Sequence, residues 1–194
     1  MTSDFEGQVV LVTGAGKGTG RCVAEALAAR GASVAANDIS PVNLDETVAR
    51  ITASGGQAIA YVEDIAKKMP IQGLLNRVLD DFGRIDVLVN CAEVEPQKSI
   101  LEMDEWDWQR TLDVNLSAAF LLTQSAGRIM KERGGGVIVH AGERAKGDEK
   151  RAAYFASKAG LKALVQVAEE ELGADGVRVC LADSLEAVLE ACRG

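Results

Sequence analysis

The chain has 194 residues, 47% hydrophobic and 26% charged, with 29 acidic against 21 basic side chains and a formal net charge of −8. That length fits one domain with a sizeable core, and the composition is that of a soluble globular protein. The acidic balance argues against nucleic acid and anionic membrane surfaces as partners, because both attract basic patches.

The first predicted strand, VVLVT at 9–13, runs into the turn TGAGKGTG at 13–20 and straight into a helical pattern over 19–30. Glycines in such a turn let the backbone approach a pyrophosphate, which then sits at the positive helix N-terminus. No GK followed by Ser or Thr stands at P-loop spacing. Thr19 and Val23 occupy the places where the ordinary G-x-G-x-x-G fingerprint would put its third glycine. The second strand, SVAAN at 33–37, leads to Asp38, 20 residues after Gly18. A carboxylate there can accept hydrogen bonds from an adenosine ribose; the alternative is an N-cap for the helix that begins near Pro41.

Further along, helical patterns at 42–54, 67–82, 104–132 and 152–172 alternate with the apolar runs AIAYV (58–62), VLVN (87–90), VIVH (137–140) and VRVCL (177–181). The runs are apolar on both faces, as expected for strands covered by helices on either side. Gly31, Gly83, Gly134 and Gly173 fall just past helix ends, where a left-handed cap is expected. The alternation predicts one α/β domain: a doubly wound, Rossmann-type parallel sheet of about six strands with helices on both faces. No apolar run reaches bilayer length, and MTSDFEGQ lacks a signal-peptide pattern. Cys22, Cys91, Cys180 and Cys192 form no CxxC pair, as expected of reduced thiols in the cytoplasm. A single histidine, His140, argues against a histidine metal centre or triad, and no metal site is expected.

Thr13-Gly14-x-x-x-Gly18-x-Gly20 resembles the cofactor signature of the short-chain dehydrogenase/reductase family, and other segments agree in order and spacing. Asp64-Ile65 resembles the pair that contacts adenine. Asn90-Cys91-Ala92-Glu93 resembles the family's Asn-Asn-Ala-Gly. Asn115 matches the active-site Asn, and Tyr154-x-x-x-Lys158 the catalytic pair. The similarity runs from about Gly7 to Leu181. It implies a cofactor site at Thr13, Gly14, Lys17, Gly18, Thr19, Gly20, Asp38, Ile39, Asp64, Ile65, Asn90, Ala92, Tyr154 and Lys158, with Tyr154, Lys158 and Asn115 catalytic. The implied reaction is NAD(P)-dependent hydride transfer to a carbonyl or from a secondary alcohol. NAD is expected over NADP, since Asp38 would repel a 2′-phosphate, although Lys17 in the turn could pair with it.

Tyr is a poor acid–base near neutrality, with a reference pKa of about 10, and a neighbouring ammonium favours its phenolate. Residues four apart share a helix face, so Lys158 can lie beside Tyr154 and reach the nicotinamide ribose. The resemblance gives Asn115 a water that links Lys158 to solvent. It also calls for a Ser at the end of the fifth strand to polarise the substrate carbonyl. Counting back from Tyr154 puts Ala141 in that place, whereas aligning the strand puts Glu143 there. Neither is a hydroxyl.

Other departures bear on activity. Glu93 stands where the family has a glycine beside the cofactor, so crowding or repulsion at the nicotinamide end is expected. His140 is expected to replace a strand-end Asn structurally and is otherwise a candidate acid. After VRVCL the family continues with a Pro-Gly segment, a substrate-covering lid and a last strand; here ADSLEAVLEACRG follows, in which Ser184 can cap a short helix. The reading is a single domain, 1–194, without that lid. Three functions stay open: an oxidoreductase with impaired activity, a catalytically degenerate nucleotide-binding sensor or scaffold, and an assembly module. A homo-oligomer, with a dimer favoured over a tetramer, is expected through the helices near 113–132 and 153–172.

Overall fold

A computed structural model describes residues 4–142 and 149–193. Six parallel strands, β1 (Val9–Thr13), β2 (Ser33–Asp38), β3 (Gln57–Val62), β4 (Val87–Asn90), β5 (Gly136–Ala141) and β6 (Val177–Ala182), pair in the order β3-β2-β1-β4-β5-β6. The helices are α1 (Gly18–Ala28), α2 (Pro41–Ala53), α3 (Lys68–Phe82), α4 (Glu105–Leu112), α5 (Ala118–Glu132), α6 (Ala152–Gly173) and α7 (Leu185–Ala191). Alternation along each strand divides the core. Val10, Val12, Val34 and Val89 pack toward α1, α2 and α7, while Val9, Leu11, Ala35 and Leu88 pack toward α3, α5 and α6. The doubly wound sheet expected from the sequence is the one observed.

The edges differ from expectation. Ile59 and Val62 of β3 are partly exposed, and Arg178 of β6 points to solvent, because an outer strand has helices over only part of its surface. Gly31, Gly83 and Gly134 take positive φ as expected. Gly173 instead ends α6 within the helix, Ala174 continues in right-handed geometry, and the left-handed residue is Gly176, just ahead of β6. Ser184 caps α7 by accepting from the Ala187 amide at 3.1 Å. The single helix predicted over 104–132 is interrupted by a π-helical turn, Asp113–Ser117, where the Ala118 amide bonds the Asp113 carbonyl.

The sheet reverses its direction of winding between β1 and β4. The connections leave toward opposite faces there, and a crevice lies beyond the strand ends, lined by residues that follow β1 and β4.

Candidate functional site

A cleft of about 340 Å³ lies in this crevice, lined by Gly14, Lys17, Gly18, Thr19, Gly20, Asp38, Ile39, Asp64, Ile65 and Ala92 among the predicted residues. The glycine turn is held by sterics. Gly14 has φ +67, and a Cβ on it would lie 2.7 Å from the Ala92 nitrogen. A Cβ on Gly20 would lie 2.1 Å from the Gly14 carbonyl oxygen. The turn is therefore pressed between the α1 N-terminus and the chain leaving β4, and its Gly14, Gly18 and Gly20 line the cleft.

Asp38 is fixed above this turn. Its Oδ2 accepts from the Gly16 amide at 2.9 Å and its Oδ1 from the Ser40 amide at 2.9 Å. It does not cap α2; Ser40 does, accepting from the Asn43 amide. Across the cleft Asp64 makes a bidentate pair with Arg110, at 3.0 and 3.2 Å. Partial burial disfavours the Asp64 carboxylate, but the Arg110 pair and the Ala66 amide outweigh it and hold the carboxyl below its usual range. No spacing in the sequence pointed to Arg110, because its partner lies 46 residues away on another element.

Thr13 and Asn90 lie beneath the cleft in a buried chain of hydrogen bonds. Thr13 Oγ1 donates to Asn90 Oδ1 at 2.6 Å, which turns the Asn90 amide toward His140 Nδ1 at 3.2 Å. Nδ1 must then accept, so Nε2 carries the proton and donates to Thr123 Oγ1 at 2.8 Å. Complete burial, aided by the positive charge of Lys158, pushes the His140 pKa down to about 4. A neutral, fully bonded imidazole is a structural link between β4, β5 and α5. It is not poised as a general acid.

Tyr154 and Lys158 lie on one face of α6, with Lys158 Nζ 5.3 Å from the Tyr154 ring centroid. Both are buried. Lys158 Nζ donates to the Ala141 carbonyl at 3.1 Å, so the strand end that lacks a Ser anchors the lysine through its backbone. Glu93 reaches the same spot. Its Oε2 lies 2.8 Å from Lys158 Nζ and accepts from the Tyr154 hydroxyl at 3.3 Å. This carboxylate lines the cleft, whereas Tyr154 and Lys158 lie behind it and do not themselves line the cleft. Glu143 lies outside the described residues.

Asn115 sits in the π-helical turn, where an added residue per turn reshapes the helix. Its side chain accepts from the Val94 amide and donates to the Val94 carbonyl, both at 2.9 Å, pinning the segment that carries Glu93. It also donates to Ser157 Oγ at 3.1 Å. Ser157, which the sequence reading passed over, is a hydroxyl three residues from Tyr154. It is fully buried and bonds the Tyr154 carbonyl at 2.7 Å, so it braces α6 internally.

The model of the family described as short chain dehydrogenase matches residues 8–183. An uncharacterized oxidoreductase of Thermotoga maritima is 40% identical over 178 residues, which is 91% of this chain and 70% of that protein. An NAD+-bound xylitol dehydrogenase superposes with a TM-score of 0.88 at 32% identity, covering 92% of this chain and 70% of that one. A metagenomic short-chain oxidoreductase in complex with NADP superposes at 0.87 with 34% identity, covering 92% and 82%. Matched over nearly its whole length in both sequence and fold, the chain belongs to the short-chain dehydrogenase family.

Proposed function

We propose that this chain binds NAD(H) and transfers hydride between the nicotinamide and a small carbonyl or secondary alcohol, at a reduced rate. The observation that carries this reading is one crevice lined by the glycine turn, Asp38 and Glu93, with the Tyr154–Lys158 pair directly behind Glu93. The residues fit the adenosine and pyrophosphate half of a dinucleotide: Gly14, Gly18 and Gly20 line the cleft at the start of α1, a Cβ at Gly18 would meet no protein atom within 4 Å, and a helix N-terminus suits an anion. At the other end Glu93 takes the contacts with Lys158 that the family resemblance gives to a ribose hydroxyl. When bound, the nicotinamide supplies or accepts the hydride.

The chain's own residues would handle the proton. Tyr154 exchanges it with the substrate oxygen, Lys158 favours the phenolate, and Asn115 fixes the Val94 segment beside them. Ala141 offers no hydroxyl to the substrate oxygen. The Glu93 carboxylate opposes negative charge on the phenol. Both features support slow turnover. NAD is favoured over NADP by the fixed Asp38 carboxylate, with Lys17 the counterweight.

A second reading, nucleotide binding without turnover, is supported by the same Glu93 contact. A carbonyl panel with NADH separates the two: slow reduction abolished by Tyr154→Phe supports the enzyme, and calorimetric binding with no turnover supports the binding protein. Tighter binding of NADP than NAD overturns the cofactor preference. We also propose a cytoplasmic homodimer. Free thiols at all four cysteines support the reducing compartment. Exposed Phe120 on α5 and Val167 on α6 support the pairing surface. A monomer by light scattering at micromolar concentration overturns the dimer.

A further inference from the structure

Four charged side chains gather around the Tyr154 ring among the described residues. Lys158 Nζ is 5.3 Å from its centroid and the Arg151 guanidinium 4.8 Å. Each cation has an acidic partner: Glu93 for Lys158 at 2.8 Å and Glu95 for Arg151 at 2.5 Å. Among these four described side chains the charges balance. Removing Glu93 shifts the local charge by one positive unit beside the cleft. Glu93 is not sealed away, since its side chain keeps 36% of its exposure and lines the cleft wall.

We infer that Glu93 selects the redox form of the cofactor, favouring the oxidised, cationic nicotinamide over the reduced, neutral one. This rests on the dinucleotide-binding reading above and adds to it a specificity determinant. The oxidised and reduced cofactors are identical in their adenosine and pyrophosphate, so contacts from the glycine turn and Asp38 cancel in the ratio of their affinities. What remains is the ring, which carries a positive charge in one form only. With Glu93 present, that charge meets a carboxylate at the cleft wall that offsets Lys158. Without it, the same charge meets surroundings more positive by one unit. One unit charge acting on another across a part-solvated cleft changes relative affinity by about tenfold. Because Glu93 also holds Lys158, its removal frees that lysine for either form alike, and this common gain cancels too.

The experiment measures dissociation constants of NAD+ and NADH by calorimetry for wild type, Glu93→Gln and Glu93→Gly, with folding checked by circular dichroism. The two variants are read independently, so poor folding of one leaves the test intact. The expected result is a rise of about tenfold in the ratio Kd(NAD+)/Kd(NADH) in the variants. Asp38→Asn should weaken both forms and leave the ratio unchanged. A ratio that moves by less than about twofold overturns the inference, even if both forms bind the variants more tightly, since Glu93 would then be only a competitor for Lys158. If neither form binds wild type or the variants, the dinucleotide reading falls and this inference with it. Binding with an unmoved ratio sinks the inference alone.

Discussion

His140 offers an unusually clean pH experiment, because it is the only histidine in the chain and its ring is completely buried. In the unfolded chain its imidazole titrates at an ordinary 6.5; in the fold, burial and Lys158 bring it down to about 4. The unfolded state therefore takes up a proton first as pH falls. The stability held by the neutral ring is full above about pH 6.5 and is lost as pH drops through about 4. The full difference corresponds to about 3 kcal/mol, of which about 2 kcal/mol is gone by about pH 5. For a domain of this size that is a fall in Tm of about 4–8 °C. Carboxylates also titrate near the bottom of this range, so the comparison is made against His140→Asn, which should lack this share of the drop. Proton NMR of the single imidazole gives a second measurement. A ring that titrates near 6.5 in the folded protein, or equal acid-induced losses of Tm in wild type and variant, would refute the buried-chain account.

Gly20→Ala should abolish NAD binding by calorimetry and lower the urea midpoint by the equivalent of about 1–3 kcal/mol, because its Cβ would meet the Gly14 carbonyl. Restoring a hydroxyl at the end of β5, by Ala141→Ser or Glu143→Ser according to which position faces the substrate, should raise carbonyl reduction by about 10²-fold, and the gain should vanish with Tyr154→Phe. Burial, with Cys180 and Cys91 nearby, pushes the Cys192 thiol up to about 12, so it should resist alkylation until the protein unfolds while exposed Cys22 labels at once.

Much of this architecture is written locally. Short apolar runs, the glycines between β1 and α1, and the spacing of Tyr154 and Lys158 are one-dimensional signals, and each maps onto one element. The edge exposure of β3 was not legible, because Ile59 and Val62 are as apolar as residues of a central strand and only strand order makes them peripheral. The π-helical turn escaped for a related reason: DVNLS carries no breaker, and its geometry depends on Asn115 reaching Val94 in a separate segment. Sequence raised Glu93 as an intruder beside the cofactor, but not its pairing with Lys158, which lies 65 positions later in the chain. His140 was read as a structural replacement with an acid role in reserve. The partners that decide the matter, Asn90 and Thr123, come from a strand and a helix that only folding brings to it.

The turn at Asp113–Ser117 also sets the phase of everything after it. Each residue advances an α-helix by about 100°, so one residue taken up in a wider turn rotates α5 by about that angle relative to α4. Leu122, Ala126 and Met130 face the sheet only with that offset, and Phe120 faces outward because of it. The segment can thus absorb many substitutions yet not a change of length. Dropping one residue would restore a regular helix while turning the buried stripe of α5 away from the sheet, so loss of the extra residue is disfavoured by the helix packing as well as by Asn115.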